Sequence, residues 1–306
     1  MRTGAPLVAG PPVAGGLDLD LPGDGVRLRA TRWPGSGTPV LLLHGLASTR
    51  RFWDLVVPHL AGLPLLALDQ RGHGESDRPD GPYDGASTTR DALTALDALG
   101  LSRVVVVGHS WGATTALRLA ADAPERVLSV VAVDGGLGWH AGALADRAAL
   151  RERMTPPRTA LPPDRLLARL RSGPLAPWWS EQVAGALLPL FELGPDGLAR
   201  PRLPFEAHMA IVDDLIDADV EQVLPRIGCP AWVVLCEPGG PPADDDAARW
   251  SQAKGEALAR AAGLLSRPRL QRWYGALHDV PLQWPALVAG LVRTAGDEAS
   301  VLRAAA

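Results

Sequence analysis

The sequence predicts an α/β protein: a mostly parallel, eight-stranded sheet flanked by helices, with a helical cap insertion. Three observations predict it. Eight runs of strand length recur along the 306 residues, and from Pro39 onward they alternate with helical stretches, the pattern of a parallel sheet covered on both faces. Second, Arg103-Val-Val-Val-Val-Gly108-His109-Ser110-Trp111-Gly112 reads as a strand buried on both faces, a very tight turn and a helix. Third, the strand–helix rhythm stops between Gly135 and Arg226, where prolines cluster and helical pieces are short, and then resumes.

Taken in order, residues 16–21 and 26–33 alternate as two antiparallel strands around the turn signal Pro22-Gly-Asp-Gly25. Residues 39–45 form a continuous apolar strand running into a polar loop, followed by a short helix over 51–60 and a strand over 64–69. Residues 84–99 read as an amphipathic helix with Leu93, Leu96 and Leu99 on one side, ended by Gly100. The valine strand, its turn and its helix come next, then a strand over 127–134. Beyond the insertion the spacing predicts a strand over 231–236, a helix over 245–265, a strand over 270–274 and a helix over 285–293. The organisation expected is a core of residues 1–135 and 227–306 with residues 136–226 as an inserted segment without strands. Such an insertion lies over the C-terminal strand ends, where open α/β sheets bind ligands.

The net charge is −4 and no basic block appears, which argues against a nucleic-acid partner. The first residues carry one charge and an apolar run broken by Gly and Pro, a poor signal peptide. No run reaches the length of a membrane span. The expectation is a cytoplasmic protein acting on a small molecule. Cys229 and Cys236 would lie about 23 Å apart along a strand, beyond disulfide reach. Two cysteines are also too few for a cysteine zinc site. They read as small core side chains, and neither a metal nor a cofactor is expected.

Gly108-His109-Ser110-Trp111-Gly112 has the pattern G-x-S-x-G. Its chemistry needs that spacing: the serine is held in a strained turn, and side chains at the two flanking positions would meet neighbouring backbone. Ser110 would then stand at a helix N-terminus, where free N–H groups favour a developing oxyanion. The Trp111 N–H is one such donor. A serine hydroxyl needs a base within hydrogen-bond reach. Of seven histidines, His278 follows the last candidate strand and is the natural base. His109 adjoins Ser110, but on a tight turn its ring should point elsewhere.

Four stretches together resemble the α/β-hydrolase superfamily. They are His44-Gly45-Leu46-Ala47-Ser48, Asp69-Gln-Arg71-Gly72-His73-Gly74-Glu-Ser76, the Gly108–Gly112 turn, and Gly275-Ala-Leu-His278, each at a strand end and in the family's order. The resemblance makes residues 136–226 a cap and assigns the second oxyanion donor to the Leu46 N–H. It also implies a carboxylate to orient His278. The family's usual position falls on Gly239, a departure, whereas some members carry the acid after the strand that follows the elbow helix, here Asp134-Gly135-Gly136. Asp134 is therefore the first candidate, with Asp244–Asp246 and Glu237 as alternatives; the aspartate run also suits a helix N-cap. The activity implied is cleavage of a carboxylic ester of a small, apolar substrate through an acyl-enzyme on Ser110. Thioesterase, lactonase, amidase, C–C hydrolase, perhydrolase and lyase chemistry stay open, as does a ligand-binding protein on the same scaffold. His44, Trp139, Trp178 and Trp179 are candidate pocket residues.

Overall fold

A computed structural model describes residues 13, 15–138, 146–158 and 160–304. The chain opens with an antiparallel pair, β1 (Leu17–Pro22) and β2 (Arg27–Trp33), turned at Gly25 with φ 72°. Then come β3 (Val40–Leu43), two 3-10 turns at Arg50–Trp53 and Val57–Leu60, β4 (Leu65–Leu68) and α1 (Gly85–Ala98). Next are β5 (Val104–His109), α2 (Trp111–Asp122) and β6 (Val127–Val133). The inserted segment holds α3 (Arg147–Arg153), α4 (Pro163–Arg171), α5 (Glu181–Leu187), β7 (Phe191–Leu193), β8 (Ala199–Pro201), α6 (Phe205–Asp217) and α7 (Val220–Val223). The chain returns through β9 (Ala231–Glu237), α8 (Asp245–Leu264), β10 (Pro268–Tyr274), α9 (Val280–Gln283) and α10 (Pro285–Ala304).

The main sheet has eight strands in the order β1-β2-β4-β3-β5-β6-β9-β10, antiparallel at β1–β2 and β2–β4 and parallel elsewhere. Alternate residues of the central strands feed two separate apolar layers. Leu41, Leu43, Val104, Val106 and Val130 face a layer completed by α1, α2 and α8. Val40, Leu42, Val105, Val107 and Val131 face one completed by the 3-10 turns and α10. Double coverage explains why these strands are unbroken apolar runs.

Three expectations need correction. The helix expected over 51–60 is two 3-10 turns, because Pro58 has no N–H to continue the ladder. The last helix runs on to Ala304, since Ala295 and Ala299 keep packing into the second layer past residue 293. The insertion is not free of strands: β7 and β8 pair antiparallel around Gly194-Pro-Asp-Gly197. Three-residue strands carrying Glu192, Arg200 and Pro201 have no periodicity to reveal them. Both cysteines are free, and among the described residues no helix is long and apolar enough to cross a membrane.

Candidate active site

Ser110 sits between β5 and α2 with φ 54° and ψ −118°, a conformation that is strained for any side-chain-bearing residue. The turn closes only because its neighbours lack a Cβ. A methyl at Gly108 would lie 2.0 Å from the Gly112 oxygen, and one at Gly112 would lie 2.3 Å from the Leu43 oxygen. The Ser110 N–H donates to the Val133 oxygen at 2.9 Å, stitching the turn to the end of β6. Among the described residues, the non-glycine residues with positive φ are Ala47, Ser110 and Asp134. They follow the C-terminal ends of three neighbouring strands, β3, β5 and β6. All three lie at the C-terminal end of the central strands, and backbone strain of this kind clusters at functional sites.

Asp134 is 1% exposed, and its carboxylate is fully engaged. Oδ2 lies 2.6 Å from His278 Nδ1, while Oδ1 accepts from the Cys236 N–H at 2.9 Å and from Lys254 Nζ at 2.7 Å. Burial pushes the Asp134 pKa up, but the hydrogen bond from His278 and the Lys254 charge outweigh it and hold the carboxyl at about 2. For His278 the balance runs the other way. Burial lowers its pKa, and the Asp134 partner more than restores it, leaving it above the ordinary 6.5. An ionised Asp134 accepts only, so Nδ1 carries the proton and Nε2 is left with a lone pair to act as base. The other candidate acids are occupied elsewhere. Asp244 caps α8 through the Ala247 N–H, Asp246 pairs with Arg153, and Glu237 pairs with Arg272 at 3.1 Å.

The loop carrying His278 is fixed from two sides. Gln283 accepts from the Leu277 N–H at 2.7 Å and donates to the Gly275 oxygen at 2.9 Å. His109 turns away from Ser110, stacks on Phe52 at 4.7 Å, and places Nε2 2.8 Å from the His278 carbonyl oxygen. Burial and the neighbouring His278 depress the His109 pKa to about 3, so the ring is neutral and Nε2 donates. Thus the residue beside Ser110 holds the backbone of His278. No hydrogen bond joins the Ser110 and His278 side chains in this structure; such bonds tighten when substrate is bound.

Trp111 occupies the first position of α2, so its N–H has no intrahelical acceptor. The Leu46 N–H lies in the loop after β3, shaped by two histidines. His73 Nε2 accepts from the Ala47 N–H at 3.1 Å. His44 Nδ1 reaches the Gly45 oxygen at 2.7 Å and its Nε2 accepts from the Gln70 N–H at 3.0 Å. His44 was expected in the pocket but is 0% exposed; its ring holds the loop instead, and burial keeps it neutral with a pKa of about 4.

Ser110 borders a small cavity of about 80 Å³, walled by Trp111, Leu150, Met154, Leu215 and Trp250. Trp178 and Trp179 are not among its walls. Trp178 is 36% exposed, and Trp179 packs against the second core layer. Trp139 lies outside the described residues. Trp250 on α8, which walls this cavity together with Trp111, and Lys254, the lysine behind Asp134, carry no motif. Both come one helix after the strand that pairs with β6. The four-residue spacing of Trp250 and Lys254 on one helix face is the only signal the sequence offers.

A family model described as alpha/beta hydrolase fold matches residues 38–195, and the chain belongs to that family. Among its relatives, an esterase of Mycobacterium tuberculosis is 42% identical over 108 residues, 35% of this chain and 36% of that protein. The bifunctional epoxide hydrolase 2 of Sus scrofa is 38% identical over 114 residues, 36% of this chain and 20% of that protein. These matches span well under half the length of either relative. The solved structure of E-2-(acetamidomethylene)succinate hydrolase superposes with a TM-score of 0.75 at 22% identity, covering 92% of this chain and 99% of that one. At that identity it speaks for the fold.

Proposed function

We propose that the protein is a serine hydrolase that cleaves a carboxylic ester, or a related acyl bond, of a small molecule. The observation that carries this reading is the 2.6 Å contact between His278 Nδ1 and Asp134 Oδ2, beside a serine held at positive φ between strand and helix. In the reaction, Ser110 Oγ attacks the acyl carbon while His278 Nε2 takes its proton. The Trp111 and Leu46 N–H groups receive the carbonyl oxygen as it becomes an anion. Asp134 keeps the proton on Nδ1 and stabilises the imidazolium. His278 then passes the proton to the leaving alkoxide, and water, activated by the same imidazole, frees the acyl group. Epoxide hydrolases of this fold use an aspartate nucleophile at the elbow; the serine at position 110 favours acyl transfer over that chemistry. The carboxylate that Gly239 does not supply comes, in this reading, from Asp134, which weakens the case for a scaffold that only binds.

Intact-mass analysis after treatment with a fluorophosphonate tests the reading. Wild type is expected to gain one adduct, and Ser110→Ala none. A folded wild type that takes up no label, and that turns over no p-nitrophenyl ester, would remove it.

A further inference from the structure

The cavity beside Ser110 is small, apolar and firmly walled. Its volume is about 80 Å³, and its walls include Leu150 of α3, Ile216 of α6 and Trp250 of α8. Besides Ser110, the hydroxyl that lines it belongs to Thr114, four positions along α2, and no charged side chain does so among the described residues. Leu150 and Ile216 are buried in a cluster that Trp250 helps to close. The helix that carries Trp250 is held in place by Lys254, which is tied to the Cys236 oxygen at 2.9 Å and to Asp134 at 2.7 Å. The Arg153 guanidinium of α3 covers the Trp250 ring at 4.8 Å. Walls packed in this way resist swelling.

Which half of an ester enters this cavity follows from the proton. The leaving oxygen must come within reach of His278 Nε2 to be protonated, and His278 does not line the cavity. The His278 side chain is 51% exposed, so the alcohol half lies on that open side. The acyl half is left with the cavity on the Trp111 side. A larger chamber, of about 480 Å³, lies between the insertion and the loop after β3, but Ser110 does not line it. An apolar cavity of about 150 Å³ takes up benzene, and on that scale one of about 80 Å³ admits roughly three carbons beyond the carbonyl.

We propose that the substrates are esters of short, uncharged acyl groups, up to about four carbons in all, and that Trp250 sets this limit. The proposal rests on the acyl-hydrolase reading of Ser110 and adds the acyl length which that reading leaves open. A longer chain would have to force the Trp250 ring off Leu150 and Ile216, and overpacking a closed apolar site is unfavourable.

Steady-state kcat/KM on p-nitrophenyl acetate, butyrate and octanoate tests it, because the leaving group is constant. Wild type is expected to favour butyrate over octanoate by at least about ten-fold, the discrimination that an apolar pocket makes over a methylene or more. Trp250→Ala should raise the octanoate-to-butyrate ratio by about ten-fold or more. Ala218→Val adds bulk to the same cavity and should lower the butyrate-to-acetate ratio several-fold, whether or not the Trp250 variant folds. A flat chain-length profile or a preference for octanoate in wild type would overturn the proposal. So would a wild-type ratio in either folded variant. Fluorophosphonate labelling of the same samples separates this failure from that of the hydrolase reading. A wild type that labels but takes octanoate loses only the length limit, whereas one that neither labels nor turns over an ester loses both.

Discussion

Asp134 is the residue on which the proposed chemistry turns, and its surroundings make it testable. His278 must be neutral to take a proton, and its pKa stands above 6.5 because Asp134 outweighs burial. Hence kcat/KM should rise with pH through a value above 6.5. Asp134→Asn removes the carboxylate and favours the wrong tautomer, so kcat should fall by about 10⁴ while the acidic limb moves below its wild-type position. A pH–rate profile on an activated ester reads both. Lys254 acts from behind the acid. Its ammonium stabilises the carboxylate at 2.7 Å and opposes the charging of His278. Lys254→Met should therefore move the acidic limb upward, opposite to Asp134→Asn, and cost about 3–5 kcal/mol of stability as one partner of a buried pair is removed. A purely structural lysine would lower the melting temperature and leave the limb in place. Titration of His278 by NMR distinguishes the two.

At the level of elements, the strand-end turns are the least tolerant parts of the chain. A Cβ at Gly112 meets the Leu43 and His44 carbonyl oxygens at 2.3 and 2.5 Å, both backbone atoms that cannot rotate away. Gly290, on the exposed face of α10, has nothing within 4 Å of the same position. Gly112→Ala should thus yield insoluble or grossly destabilised protein. Gly290→Ala should gain about 0.5–1 kcal/mol from helix propensity, and urea unfolding of the pair measures the contrast. The same elements show what a sequence can disclose. The valine strand and the glycines around Ser110 were legible because close approach leaves a compositional trace. So were the boundaries of α1, where Asp84 accepts from the Ser87 N–H at 2.7 Å and Gly100 follows with φ 65°. The pairing of β2 with β4 rather than β3 was not legible, since strand order depends on crossovers and leaves no mark in any one segment. Lys254 was not legible either. It reaches Asp134 from 120 positions away because α8 packs beside β9, and a lone lysine on a helix reads as solvated. For the pocket, an abundance of tryptophan was a poor guide: Trp178 is partly in solvent and Trp179 backs the core, because a large ring is as useful in packing as in binding.

For the whole molecule, the question is whether the inserted segment behaves as a unit of its own. Its charged contacts, such as Arg147 with Asp217 and Arg151 with Asp213, lie at the surface and contribute little. Its apolar contacts are shared. Leu175, Val183 and Ala186 belong to the same layer as Phe52 and Trp53, and Leu224 to the layer under α2. Leu203, Ala207 and Ile211 of the segment close over Trp111 and Tyr83, directly above the elbow helix. Its own buried cluster, Leu150, Met209, Val212 and Ile216, is closed by Leu46 and Trp250 of the core, so the segment's interior is not separate from the sheet. Heating should therefore give one calorimetric transition, with calorimetric and van't Hoff enthalpies in agreement. Ile211 is 0% exposed on α6, and truncating it to alanine should cost about 2–4 kcal/mol. At roughly 2–4 °C per kcal/mol for a domain of this order of size, the entire transition should shift down by about 5–15 °C. Two resolved transitions, with Ile211→Ala moving only the lower, would show instead that the segment melts as a separate cap above a folded sheet. In that case, the contacts that Leu203, Ala207 and Ile211 make over Trp111 would be lost before the Asp134–His278 pair is.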